Sequence, residues 1–263
     1  MTPRPLGQSG LCLSPLSLGT VKFGRNQSVK YPSRFDLPDD KAICDLLAKA
    51  HEHGITTLDT APAYGIAEQR LGQLLTNRHD WQIITKAGEY YDAASDSSHY
   101  DFNPKTLRQS LDNSLRLLNT DYIDCWLIHS DGNDLANLSD EAIKLLQEVK
   151  QAGLVRTVGM STKTVAGGAY ALEHLDCIMM AASLNNQEEA PLFEVAAKLN
   201  KGLLLKKIYD SGWALTADNK QDIMQQTLAR LFAQPAVCSA VIGTINPLHL
   251  QQNIDALNAA LRR

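Results

Sequence analysis

The sequence predicts an α/β protein of the (β/α)8, or TIM-barrel, class with a short N-terminal β-hairpin. Three observations lead there. Short apolar runs alternate with longer amphipathic stretches along the chain, the pattern of repeated βα units. Eight strand candidates and eight helix candidates follow one another in a single alternating series. Neither G-x-G-x-x-G nor G-x-x-x-x-G-K-[ST] joins a strand to a helix, so the competing open, doubly wound sheet lacks its phosphate-binding anchor. The 263 residues suit one such barrel, which runs to about 250 residues, and a single domain over residues 1–263 is expected.

The hairpin is read over Pro5–Leu13, where Gly7 and Gly10 suit a tight turn. Apolar runs then place strands at Leu16–Thr20, Ile55–Asp59, Trp81–Lys86 and Tyr122–His129. Four more follow at Val155–Met160, Ile178–Leu184, Gly202–Lys206 and Ala236–Ile242, each trailed by a helical segment. Asn103-Pro104 and Asn246-Pro247 each set a side-chain acceptor before a proline that has no amide to satisfy, which starts a helix; Ser139 with Glu141 behind it starts another. Phe23–Leu37 and Gly88–Phe102 are polar stretches read as loops without elements. In a barrel both lie over the rim where ligands bind.

Composition narrows the partners. Hydrophobic residues make up 44% of the chain, enough for a large core. The net charge is −4 with Lys and Arg scattered, which leaves no footprint for nucleic acid or an anionic membrane and favours a small-molecule substrate. The five cysteines form no C-x-x-C pair, so neither a zinc site nor a disulfide framework is expected, and most are read as buried apolar residues. The opening MTPRPLGQSG has no apolar core and no run approaches the roughly 20 residues of a membrane span, so a cytoplasmic protein is expected. Oligomeric state has no sequence signature here.

The ends of strands two, three and four carry the chemistry: Asp59, with Tyr64 five residues on, then Lys86, then His129. Any one of them alone is more often a cap or a turn former. Three successive strand ends converging on one rim reverse those odds. Lys86 follows the apolar Ile83-Ile84-Thr85, where an ammonium is costly to desolvate unless a partner such as Asp59 meets it. An ammonium beside Tyr64 favours the phenolate and is expected to bring this phenol within reach of acid–base work near neutrality. His129 is expected to hydrogen-bond a substrate oxygen or share the tyrosine proton. Such a site protonates oxygen while something else delivers hydride to carbon.

The run Leu58-Asp59-Thr60-Ala61-Pro62-Ala63-Tyr64-Gly65, with Ala67-Glu68-Gln69-Arg70-Leu71-Gly72, Ile84-Thr85-Lys86 and Asp121 through His129, resembles the aldo-keto reductase signature. The resemblance extends from Leu6-Gly7 and Gly19-Thr20 to Val241-Ile242-Gly243-Thr244 and Asn253. It implies a nicotinamide dinucleotide lying across the C-terminal rim, oxidation and reduction between carbonyls and alcohols, and Asp59, Tyr64, Lys86 and His129 as the catalytic set.

By the same resemblance Gly19 and Thr20 stand beside the nicotinamide, and Ser161-Thr162 stand where the family binds the carboxamide, with Thr162 in place of the usual Asn. Ala181 replaces a glutamine and Lys206 an aromatic ring that stacks on the nicotinamide. Lys206 and Lys207 are either solvated strand ends or cations for the cofactor phosphates, with Tyr209 and Ser211 nearby. At the adenosine end stand Gly243, Thr244, His249, Gln252 and Asn253, where relatives often carry Lys and Arg at the positions of Gly243 and His249. NADP(H) is favoured because the family favours it, with Thr244 and a protonated His249 as phosphate contacts; NAD(H) is the alternative. Gly88 and Ser130 replace aromatic lid residues, so an open, polar pocket for small aldehydes, ketones or sugars is expected, with Phe23, Tyr90, Tyr91 and Trp213 as candidate lining. Two rivals remain at this stage: a Schiff-base aldolase using Lys86, and a cofactor-sensing, non-catalytic subunit of a larger complex.

Overall fold

Strand residues here alternate between two apolar environments, and the fold supplies both. In the computed structural model, which describes residues 1–215 and 219–262, eight parallel strands close into a barrel. They are β1 (Leu16–Gly19), β2 (Thr57–Asp59), β3 (Gln82–Ala87), β4 (Ile123–His129), β5 (Val155–Ser161), β6 (Cys177–Ala181), β7 (Gly202–Lys206) and β8 (Val237–Ile242). Neighbours in the chain are neighbours in the barrel, and β8 closes on β1 with Ile242 opposite Leu18.

One strand face looks inward. Ile84, Cys125, Leu127, Cys177, Met179, Leu204 and Cys238 pack there with Leu6, Leu11 and Leu13 of the N-terminal hairpin, whose strands Arg4–Pro5 and Cys12–Leu13 pair antiparallel. The hairpin therefore floors the barrel at the end away from the strands' C-termini. The opposite strand face, including Leu58, Ile83, Trp126, Met160, Ile178 and Leu203, packs under the helices.

Those helices are α1 (Asp40–Glu52), α2 (Ala67–Leu74), α3 (Pro104–Leu117), α4 (Asp140–Gln151), α5 (Val165–His174), α6 (Pro191–Lys198), α7 (Lys220–Phe232) and α8 (Pro247–Leu261). The expected caps form: Asn103 accepts from Lys105 N, Asn246 from Leu248 N, and Ser139 from Ala142 N. No helix among the described residues is long and apolar enough to cross a membrane.

Three sequence expectations change. Strand six ends at Ala181 rather than Leu184, because Ala182–Leu184 leave the barrel while staying apolar or small. Gly88–Phe102 is not a plain loop: Glu89–Asp92 pairs antiparallel with Ser97–Tyr100 in a second hairpin above the rim. Phe23, expected to line the pocket, is fully buried in the outer core. Of the cysteines, Cys125, Cys177 and Cys238 are buried, whereas Cys12 and Cys44 are exposed.

Candidate active site

Inward parity continues past the apolar layers to the rim. Two residues beyond Ile84 comes Lys86, two beyond Leu127 comes His129, and two beyond Leu204 comes Lys206, while Asp59 and Ser161 end β2 and β5. The register sets His129 beside Ser161 and Gly19 beside Asp59. A polar layer thus caps the apolar interior of the barrel.

Asp59 is anchored through its backbone, since the Thr20 amide and hydroxyl both donate to its carbonyl at 2.9 and 3.0 Å. The turn Pro62–Tyr64 then folds Tyr64 back over the rim. Gly65 makes this possible. Its φ is +62°, and a Cβ there would lie 2.2 Å from the carbonyl oxygen of Gly24. Arg25 clamps the same turn by donating to the Ala63 carbonyl at 3.1 Å while lying 3.6 Å over the Tyr91 ring.

Lys86 is buried and finds the partner its position requires. Its Nζ donates to Asp59 Oδ1 at 2.5 Å, to the Thr60 carbonyl at 2.9 Å and to Tyr64 Oη at 3.1 Å. Tyr64 Oη also donates to Asp59 Oδ2 over a long 3.5 Å. Burial, followed by the Asp59 charge, pushes the Tyr64 phenol well above its usual range. The expectation of a phenol brought toward neutrality is therefore corrected. Lys86 has its charge matched by Asp59, and what remains at the hydroxyl is desolvation and carboxylate, both of which hold the proton on.

His129 meets the Tyr64 ring edge-on, with centroids 6.3 Å apart. Burial, and then the charges of Lys86, Lys206, Lys163 and Lys207, hold it well below the usual histidine range, so it is neutral. Its Nδ1 stands 3.0 Å from Glu89 Oε2 but off the direction a hydrogen bond needs. No direct Tyr64–His129 hydrogen bond forms in the described structure, although that sharing was one of the expectations.

Across the rim, Lys206 is partly buried and hydrogen-bonded at the barrel mouth. Its Nζ donates to Ser161 Oγ and to the Thr162 carbonyl, both at 2.8 Å, and burial brings it down to about 7. The Thr162 hydroxyl donates to Glu189 Oε1 at 2.8 Å, and the Ala181 amide donates to Glu189 Oε2 at 2.9 Å. Glu189 thereby fills space next to the two positions that depart from the family pattern. Lys207 and Ser211 line a cavity of about 250 Å³ with Lys30, Ala181, Asn186 and Trp213. Tyr209 is buried nearby in sequence, its hydroxyl without a hydrogen-bond partner.

Toward β8, Tyr31 comes so close to Gly243 that a Cβ there would lie 2.9 Å from its hydroxyl. Tyr31 also senses the Asp59 charge and, mainly through burial, is pushed up to about 12. Lys22 lies 4.1 Å over its ring. Burial, together with Lys220 and Lys22, lowers the His249 pKa, which favours the neutral ring and puts two lysines in its field. Thr244 Oγ1 accepts from the Asn246 amide at 3.0 Å, and Gln252 accepts from Gln221 through its backbone carbonyl. Asn253 donates to the His249 carbonyl, yet its buried Oδ1 has no partner among the described residues.

Sequence reasoning missed Glu89, Glu189, Tyr31, Lys22 and Lys220. Only Glu89 had a readable signal, since it directly follows the Gly88 turn beyond Lys86.

With this geometry in place, comparisons agree on a family. A model of the Aldo/keto reductase family matches residues 15–227. Oxidoreductase YqkF of Bacillus subtilis, itself uncharacterized, is 31% identical over 98% of this chain and 92% of its own length. L-galactose dehydrogenase of Arabidopsis thaliana is 31% identical over 65% of this chain and 52% of its own. A crystal structure from Pseudomonas aeruginosa, of a protein classed with the aldo-keto reductases, shares 46% identity at a TM-score of 0.87 and covers 98% of this chain and 95% of that one.

Proposed function

Because the chain belongs to the aldo/keto reductase family and is an NAD(P)H-dependent oxidoreductase, we propose that it reduces small, hydroxylated aldehydes or ketones with Tyr64 as the proton donor. The cluster of Tyr64, Lys86 and Asp59 facing His129 carries this reading. A bound nicotinamide dinucleotide supplies the hydride to the carbonyl carbon. Tyr64, its proton held by burial, gives that proton to the carbonyl oxygen, and hydride plus proton complete the alcohol. Lys86 Nζ, 3.1 Å from the phenol oxygen, stabilises the negative charge left there, and Asp59 pairs with Lys86 and orients it. Neutral His129 offers a ring nitrogen to the substrate oxygen on the other side.

The chain's residues suit such a dinucleotide. Asn253 Oδ1 is a buried acceptor lacking a donor, which an adenine amino group would satisfy. Lys30, Lys207 and Ser211 offer cations and a hydroxyl to phosphates. Gly19, Thr20, Ser161, Thr162, Tyr209, Gly243, Thr244, His249 and Gln252 complete the set proposed to hold the cofactor. Preference for NADP(H) is supported by Lys22 and Lys220, whose charges reach His249 and can stand in for the cations that Gly243 and His249 do not supply. Glu89, Lys163 and the absence of aromatic lids at Gly88 and Ser130 support a polar substrate, and one relative is named for the sugar L-galactose. The Schiff-base reading loses ground because Lys86 spends its N–H bonds on three acceptors and has no free pair to attack with.

Tyr64→Phe tests the assignment. Carbonyl reduction is expected to fall by at least about 10³-fold, while NADPH affinity, read by fluorescence titration, changes less than twofold. Near-normal turnover in that variant would refute the role of Tyr64.

A further inference from the structure

The five inward residues at the rim include two lysines, and only one has a carboxylate of its own. Lys86 is neutralised by Asp59 at 2.5 Å. Lys206 instead meets two neutral oxygens, Ser161 Oγ and the Thr162 carbonyl. The nearest acid in its field, Glu189, already accepts from the Thr162 hydroxyl and the Ala181 amide. The remaining charges around Lys206 are cations: Lys207 next to it, Lys86 from β3 and Lys163 from the turn after β5. Lys206 therefore has no carboxylate in ion-pair contact among the described residues, and Glu189 offsets its charge at the mouth of the barrel only from a distance.

Its place relative to the chemistry follows from the register. Ser161, which Lys206 touches, pairs with His129 on the adjacent strand, and His129 feels the Lys206 charge. On the functional reading above, the substrate oxygen lies between Tyr64 and His129. A hydride donor must hold its reacting carbon about 3–3.5 Å from the substrate carbon. The nicotinamide ring thus works within a few ångströms of Ser161 and Lys206.

Oxidised and reduced dinucleotides have the same adenosine and the same phosphates. They differ at the nicotinamide, which is neutral when reduced and carries one positive charge when oxidised. We infer that the Lys206 ammonium makes this site select the reduced cofactor, because its charge repels the oxidised ring and leaves the reduced ring unaffected. In the balanced reaction, NAD(P)H, a carbonyl and a proton give NAD(P)+ and an alcohol, so the product cofactor is the one repelled. Its release is hastened, and alcohol oxidation is correspondingly handicapped by weak NAD(P)+ capture. Opposing unit charges of like sign a few ångströms apart in a partly dry site are worth on the order of tenfold or more in affinity. Linkage adds a pH signature. Lys206 loses its proton near pH 7, so the bias is complete at acid pH and fades as pH rises.

His129 is held neutral, and phosphate titration cancels between the two cofactor forms. Glu68, behind Lys86 on the outer side of β3, is pushed up to about 7, and gaining its charge would act in the same direction as losing that of Lys206. The variants below separate the two.

The experiment measures Kd for NADP+ and NADPH by fluorescence and calorimetry at pH 6 and pH 9. It uses the wild-type chain, Lys206→Gln, which keeps a donor but no charge, and Lys206→Arg, which keeps the charge at both pH values. The ratio Kd(NADP+)/Kd(NADPH) is expected to be high in the wild type at pH 6 and to fall about tenfold by pH 9. It is expected to be low at both pH values in Lys206→Gln and high at both in Lys206→Arg. Any pH dependence surviving in Lys206→Gln belongs to Glu68 or to Lys207, whose pKa burial also lowers. Equal ratios in the wild type and Lys206→Gln at pH 6 would overturn the inference while leaving the functional reading intact. Failure of the wild type to bind either dinucleotide would overturn both.

Discussion

Asp59 and Lys86 show how a single residue's cost is set by its partner. Both are nearly inaccessible, and each is tolerable only because the other is 2.5 Å away. Asp59→Ala leaves the ammonium buried with only neutral oxygens, so a loss of about 3–5 kcal/mol in unfolding free energy is expected from urea titration. Asp59→Asn retains hydrogen-bonding capacity and should lose less. An ammonium in contact with Tyr64 argues for an acidic phenol, and the sequence supports that argument. The opposite outcome comes from desolvation and from the Asp59 and Glu89 charges, none of which spacing along the chain reveals. Lys206, by contrast, was legible in principle. Its parity with Leu204 in β7 already puts it inside the barrel, and only its charge suggested that it faces the phosphates.

Among elements, strands were read well wherever apolar character stops at the sheet, as in β4 and β7. Strand six was overextended, because Ala182–Leu184 keep that character after pairing ends. The Glu89–Tyr100 hairpin escaped notice because its residues are polar or aromatic on both faces, with Tyr90 stacked on His99 and Tyr100 on Phe102 rather than alternating against a core. The turn carrying Tyr64 has a sharp test. Gly65→Ala forces a side chain into a positive-φ position already closed by the Gly24 carbonyl. It should cost about 1–3 kcal/mol and lower kcat more than it raises cofactor Kd, as measured by parallel kinetics and titration. The contact of α2 with β3 carries a pH signature. Glu68 of α2 accepts from Thr85 and lies within reach of Ser114, yet burial raises it from 4.5 to about 7. Between those values the unfolded chain gives up this proton while the folded chain keeps it, so stability falls with rising pH by roughly 3 kcal/mol. Glu68→Gln should flatten that slope in urea titrations across the same window.

For the whole molecule, the barrel separates support from chemistry along its axis. Leu6, Leu11 and Leu13 seal one end and the polar layer of Asp59, Lys86, His129, Ser161 and Lys206 occupies the other. Leu6→Ala should therefore destabilise by about 2–5 kcal/mol in urea titrations while leaving kcat unchanged below the unfolding transition. A fall in kcat matching the loss of stability would contradict this separation. The closing seam matters in another way, during synthesis. Ser17 and Ser239 meet across it as a hydrogen-bonded pair 222 residues apart, and β1 has no neighbour on that side until β8 exists. A nascent chain therefore carries an open, apolar sheet edge for almost the whole time it is being made. Such an edge invites pairing with other chains. Release of the last strand from the ribosome, more than any earlier event, decides whether the chain closes on itself or on its neighbours.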